Sequence, residues 1–334
     1  MNFALVTILL FISCVFTKLF CEKALNTRLM DKPNERSLHV SPTVRGGGVI
    51  FIGLAVVSIP IISYVTGTSL LEQLIWSLCL LLLAGISFMD DCYQLSARLR
   101  FMIQCLIALI TAMYLRPLKL DFILFTVENE YIIGVFIFFI VIWSINHFNF
   151  MDGLDGFCAS QAVFILLTYA YFYHFFPALF YQEFCLVLAS GILGFLIYNF
   201  PPAKLFMGDV GSASLGFIII IIALIAQQKY QIPILYWFIL NSLFLYDSTI
   251  TLVRRLLRGE KWYSPHRSHA YQRIKQYGIS SRKILLGQFV INSSVLALTF
   301  LIANHMLSIY LIVCLQFSIL TLVYILIEKR FPMF

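Results

Sequence analysis

Acidic side chains are scarce in this chain: sixteen Asp and Glu in 334 residues, with charged residues of both signs only 12% of the total. Charge that sparse excludes a disordered or strongly hydrated protein. The eight cysteines show no CxxC spacing and lie mostly inside apolar runs. That argues against a disulfide framework or a cysteine metal site and for small buried hydrophobes. Internal repeats, low-complexity tracts and a soluble domain are also missing. The longest polar segments are 22-46 and 254-283. The first apolar run has neither a basic n-region nor a small-residue cleavage site, so it is expected to stay as a helix rather than be removed as a signal peptide.

What fills the chain instead is apolar: 61% hydrophobic residues and a mean hydropathy of +0.91. Runs close to the ~20 residues that a helix needs to cross a bilayer core recur from end to end. Eleven are placed, near 3-21, 47-66, 70-89, 101-116, 132-148, 158-176, 183-199, 211-227, 232-253, 284-303 and 307-327. The expected fold is all-α, a polytopic integral membrane protein of about eleven transmembrane helices forming one domain over 1-334.

Lysine and arginine set the orientation, because short loops rich in them stay in the cytoplasm. With the N-terminus periplasmic and the C-terminus cytoplasmic, nineteen Lys and Arg fall on the cytoplasmic side, and only Arg116, Lys119 and Lys229 lie opposite. Five polar segments then share the cytoplasmic face, near 22-46, 90-100, 149-157, 200-210 and 254-283. The +7 charge is mostly this topological signal, with a secondary use in attracting phosphate.

A carboxylate beside a membrane span is costly unless it binds something, and five aspartates stand in these islands. Asp90 and Asp91 are adjacent, so they repel unless a cation neutralises them. Arg98 and Arg100 follow closely and suit a site that gathers metal and phosphate together. In NHFNFMDGLDGF, Asp152 and Asp155 are three apart, and Asn149 stands three before Asp152. In FMGDVGS, Asp209 directly precedes a helix start; it suits an N-cap and, equally, an oxygen ligand for Mg²⁺. Lys204 adds a phosphate-seeking charge just before it. In the first loop Arg36, His39, Arg45 and the amides of Gly46 to Gly48 could hold an anion.

The last large loop, RRLLRGEKWYSPHRSHAYQRIKQYG, gathers His266, Arg267, His269 and Arg273 beside Tyr263 and Tyr271. Two histidines three apart lack the further ligands a zinc site needs, so diphosphate binding is the better reading. Asp247 lies within the ninth run, with Arg254 or Arg255 as its expected partner.

Taken together, RGGG at 45-48, Asp90-Asp91 followed by LSARLR, NFMDGLDG at 149-156 and FMGDVGS at 206-212 resemble the polyprenyl-phosphate N-acetylhexosaminyl-1-phosphate transferase superfamily, over residues 31 to about 275. The resemblance implies an enzyme that moves a sugar 1-phosphate from a UDP-N-acetyl sugar to undecaprenyl phosphate, releasing UMP. It further implies Asp209 as the Mg²⁺ ligand (Mn²⁺ as a substitute), with Asp90 or Asp91 assisting the lipid phosphate. Asp152 and Asp155 complete the catalytic set, and Arg45, Asn149, Lys204, His266, Arg267 and His269 bind substrate. SPHRSHAYQR is similar to the branch that starts O-antigen and related polymers with GlcNAc or a 6-deoxy relative such as FucNAc or QuiNAc. The peptidoglycan branch, which handles MurNAc-pentapeptide, carries three consecutive histidines there. The implied location is the bacterial inner membrane, with the site facing the cytoplasm. Expected partners are the UDP-sugar, undecaprenyl phosphate and membrane lipids, but no nucleic acid; a homodimer stays open. Secondary transport of an anion is the distant alternative, because its ion sites sit near the bilayer midplane between repeated halves.

Overall fold

The computed structural model describes residues 3–25, 27–31, 33, 41–261, 266–303 and 308–333. Arg36 and His39 of the first loop, and Tyr263 of the last, lie outside the described residues. The chain forms two compact units, Met1–Lys32 with Pro42–Ile234, and Pro33–Ser41 with Leu235–Phe334.

In the first unit, α1 (Phe3–Ala24) is followed by a two-residue antiparallel pairing of β1 (Met30–Asp31) with β2 (Thr43–Val44). Then come α2 (Gly48–Thr66), α3 (Leu70–Tyr93) and α4 (Ala97–Tyr114). A hairpin of β3 (Leu120–Asp121) and β4 (Thr126–Val127) leads to α5 (Glu130–Phe150), α6 (Phe157–His174), α7 (Leu179–Asn199) and α8 (Asp209–Tyr230). Helix α8 is the hub, with nearly every residue buried, and it packs on α2, α3, α5 and α6. Small residues let the backbones close up, as membrane helices require where apolar burial gives little drive. A Cβ on Gly216 would meet the Ser144 carbonyl at 2.3 Å, and the Ser144 hydroxyl donates to the Gly216 carbonyl at 2.6 Å.

The second unit holds α9 (Leu235–Leu240), α10 (Ser242–Leu257), α11 (Ala270–Gln276), α12 (Ser281–Ala303) and α13 (Ile309–Arg330). The ninth apolar run, expected as one span over 232-253, is instead two helices that break at Asn241, whose side-chain amide donates to the Trp237 carbonyl at 2.8 Å. The other ten runs each fall on one helix. Among the described residues eight helices are long and apolar enough to cross a membrane: α2, α3, α4, α5, α7, α8, α12 and α13. The chain is a multi-span helical membrane protein.

Candidate active site

The site grows from the start of α8. The first amides of a helix have no partner within it and attract negative charge. Here the Asp91 carboxylate answers them: Oδ1 accepts from the Asp209 amide at 3.0 Å and Oδ2 from the Val210 amide at 3.1 Å. Asp91 is buried, and the Arg45 guanidinium donates to its backbone carbonyl while Nε stands 3.9 Å from Oδ1. Gly208 must be glycine on two counts. Its φ is +75°, and a Cβ would lie 2.5 Å from Asp91 Oδ2.

Asp90 turns to other partners. Its Oδ1 accepts from the Leu95 amide at 2.6 Å, and its Oδ2 meets Arg100 Nη1 at 2.6 Å. The same nitrogen reaches Asp209 Oδ2 at 2.8 Å, so one guanidinium bridges a carboxylate of α3 and a carboxylate of α8. The Asp209 side chain keeps 30% of its surface exposed, which leaves it open to a ligand. From sequence alone Arg100 stands near the site rather than in it. Its signal was there, a basic residue ten positions after Asp90, and α4 folds it back.

The triple glycine does something other than bind anions. The Gly47 and Gly48 amides donate to the Phe206 and Met207 carbonyls at 2.9 and 2.8 Å. A Cβ on Gly48 would strike Gly211 Cα at 2.3 Å. RGGG is thus a backbone seam that locks the first loop to the FMGDVGS segment. Only its Arg45 side chain enters the site.

Asn149, at the end of α5, donates to the Ser212 hydroxyl at 3.1 Å, which ties the third island to the α8 start. The Asp152 carboxyl is pushed well above the usual carboxylate range by burial first, and then by the negative charges of Asp209, Asp91 and Asp155. A carboxyl whose pKa the fold raises costs the native state stability as pH rises from its unfolded value, about pH 4, through its raised folded value. Asp152→Asn escapes that loss. Its melting temperature in detergent and chelator should exceed the wild type's by a margin that widens from mildly acid to neutral pH; a constant margin would remove this account. Asp155 is used differently, with Oδ2 accepting from the Ala203 amide at 3.1 Å, so it fastens the loop that carries Lys204. The Lys204 side chain is exposed.

Among the described residues no group of three or more His, Cys, Asp or Glu side chains is close enough to hold a metal ion unaided. Mg²⁺ does not ask for one, since it binds through one or two carboxylates and takes its other oxygens from water and substrate phosphates. Asp90 Oδ2 and Asp209 Oδ2 already share one cationic nitrogen. That pair of hard oxygens fits the ion.

In the second unit, the expected basic cluster divides. His266 is held neutral at physiological pH, its pKa pushed down to about 3 by burial, His269 and Arg255. Arg273 is buried and ion-paired with Glu328 at 2.7 Å. Arg267 is exposed, and His269 is buried, its ring 4.8 Å from that of His266. The pairing of Asp247 with Arg254 or Arg255 that the sequence leads one to expect does not form. Those arginines bind Glu328 and Glu260, and Asp247 instead caps the start of α11.

Membrane helices that bring a bridged set of carboxylates to one helix start define a polytopic membrane protein with an acidic site suited to phosphate chemistry. The sequence profile of glycosyl transferase family 4 matches residues 73–227, which carry Asp90, Asp91, Arg100, Asp152 and Asp209. The chain is 31% identical over 312 residues to the Bacillus subtilis (strain 168) protein named "Probable undecaprenyl-phosphate N-acetylglucosaminyl 1-phosphate transferase", covering 89% of this chain and 84% of that one. It is 28% identical over 290 residues to the undecaprenyl-phosphate alpha-N-acetylglucosaminyl 1-phosphate transferase of Escherichia coli (strain K12), covering 80% and 76%. A phospho-N-acetylmuramoyl-pentapeptide-transferase of Listeria monocytogenes is 28% identical over 210 residues, 57% of this chain and 62% of that one. The chain belongs to glycosyl transferase family 4.

Proposed function

We propose that this protein transfers an N-acetylhexosamine 1-phosphate from a UDP-sugar to undecaprenyl phosphate at the cytoplasmic face of a bacterial inner membrane, starting O-antigen or another surface polysaccharide. The observation that carries the reading is the Arg100 bridge between Asp90 and Asp209 at the α8 start. It gathers negative charge where only a cation and a phosphate-rich ligand can use it. The sugar assigned is GlcNAc or a 6-deoxy relative. Similarity to the GlcNAc-phosphate transferases runs over 80% or more of the chain, against 57% for the Listeria pentapeptide transferase.

In this mechanism an oxygen of the lipid phosphate attacks the β-phosphorus of the UDP-sugar, the bond from that phosphorus to the bridging oxygen breaks, and UMP leaves. The lipid phosphate is already ionised at neutral pH, so the protein's work is positioning and charge neutralisation rather than proton removal. Asp209 and Asp90 would hold Mg²⁺ or Mn²⁺, which supplies neutralisation of the diphosphate when bound. Arg100, released from one of its two carboxylates, is placed to accept an incoming phosphate oxygen. Asp91 keeps the α8 start and Arg45 in register, Asn149 stays tied to the Ser212 hydroxyl beside it, and the exposed Lys204 is assigned to the donor's phosphates.

The test uses membranes, undecaprenyl phosphate and a panel of labelled UDP-N-acetyl sugars, with the lipid product identified by mass. UDP-GlcNAc or a 6-deoxy relative should be used and UDP-MurNAc-pentapeptide should not. Rescue of peptidoglycan synthesis in cells depleted of their own translocase would reverse the sugar assignment. Failure with every sugar would overturn the function.

A further inference from the structure

Helix α3, which carries Asp90 and Asp91 in its last turn, presents an exposed face along its length. Leu74, Leu78, Leu82, Gly85, Met89 and Tyr93 are all exposed and stand three or four residues apart, so they line one side of the helix. Any membrane helix shows apolar side chains to lipid, but two features set this face apart. A Cβ on Gly85 would meet nothing within 4 Å, so the face is notched one turn before Met89. It also ends on a charged ring: Arg28 Cζ lies 5.1 Å from the centroid of the Tyr93 ring, two residues past Asp91.

Arg28 stands in the turn between α1 and β1, and the backbone of that turn is fixed. The Thr27 hydroxyl donates to the Ala24 carbonyl at 2.7 Å and accepts from the Leu29 amide at 3.2 Å, while the Leu29 carbonyl accepts from the Arg45 amide at 2.8 Å. A Cβ on Gly46 would lie 3.3 Å from Leu29 and 3.7 Å from Phe88 of α3, so the turn and the helix end converge there.

The other guanidiniums at the paired aspartates are taken up, Arg45 by Asp91 and Arg100 by Asp90 and Asp209. Arg28 is exposed and is held over a ring face, a contact that uses none of its N–H donors. A planar fork left open at the end of a membrane span suits a phosphate. A phosphate that reaches it beside an apolar helix face is one carried by a lipid.

We propose that Arg28, seated on Tyr93, binds the phosphate of the lipid acceptor at the membrane edge of the site, while the lipid's chain lies along the exposed face of α3 across the Gly85 notch. The identity of the acceptor rests on the functional reading above; the binding of a lipid phosphate does not.

The test uses full-length protein in detergent. Native mass spectrometry without any UDP-sugar compares undecaprenyl phosphate, undecaprenol and phosphatidylglycerol, and kinetics follow. Wild type should bind undecaprenyl phosphate more tightly than the other two. Arg28→Gln should weaken that binding about tenfold, the scale of one charge-assisted contact. The KM for the lipid should rise about as much, with the donor KM unchanged and kcat near wild type. Arg28→Lys, which keeps the charge without the fork, should recover part of the loss. Gly85→Leu fills the notch and should fold at least as well, since leucine is the better helix former. It should weaken undecaprenyl phosphate and undecaprenol alike. Unchanged binding in Arg28→Gln would overturn the phosphate site, and unchanged binding in Gly85→Leu would take the chain off α3. Equal losses for phosphatidylglycerol and undecaprenyl phosphate in Arg28→Gln would make Arg28 a general headgroup contact and end its assignment to the acceptor, as would a donor KM that rises with the lipid KM. Wild type that binds undecaprenyl phosphate through Arg28 yet uses no UDP-sugar would sink the functional reading and leave this site standing.

Discussion

Asp209→Asn should lower turnover by about 10²–10³-fold or more while leaving the protein folded, because it removes charge from a site whose work is electrostatic. Folding should survive. The Asp209 side chain is partly exposed, and the contact that holds the α8 start uses its backbone amide, which donates to Asp91. The variant should also bind Mn²⁺ more weakly, read by electron paramagnetic resonance without any substrate. In the wild type, chelation should stop the reaction and Mg²⁺ or Mn²⁺ should restart it. Full activity in chelator, or in the variant, would remove Asp209 from the metal's ligands.

How much of this was legible in the sequence depended on the scale of the signal. Apolar runs of span length mark helices plainly, since a continuous apolar segment of about 20 residues can satisfy its own backbone groups in a bilayer only as a helix, and ten of the eleven fall on single helices. The ninth did not show its break because Asn241 is one polar residue in a long apolar stretch, and what it does with the Trp237 carbonyl is a matter of three dimensions. The site was legible as a set of islands but not as a division of labour. Nothing in "DD" says that Asp91 faces the α8 amides while Asp90 faces Arg100. Successive helical side chains point about 100° apart, so two identical neighbours meet different surroundings. RGGG read as an anion cradle because glycine amides are exposed in most loops. Here the Phe206 and Met207 carbonyls take two of them first.

That division gives the second large effect. Asp91→Asn replaces one carboxylate oxygen by an amide group that must face the N–H of Asp209 or Val210, donor against donor, at a buried helix start. It also weakens the hold on Arg45. Breaking a buried charge network by changing one partner costs about 3–5 kcal/mol, enough to unfold much of a marginally stable protein. Asp91→Asn should therefore melt well below wild type in detergent, with activity lost along with the fold. Asp90→Asn makes the same chemical change one residue earlier and should behave in the opposite way. It keeps an oxygen for the Leu95 amide and frees Arg100 from one of its two carboxylates, so the protein should melt near wild type while turnover falls by about two orders of magnitude. Equal melting of the two variants would mean that the paired aspartates share one role, and the assignment of Asp91 to the helix start and Asp90 to the chemistry would fall with it.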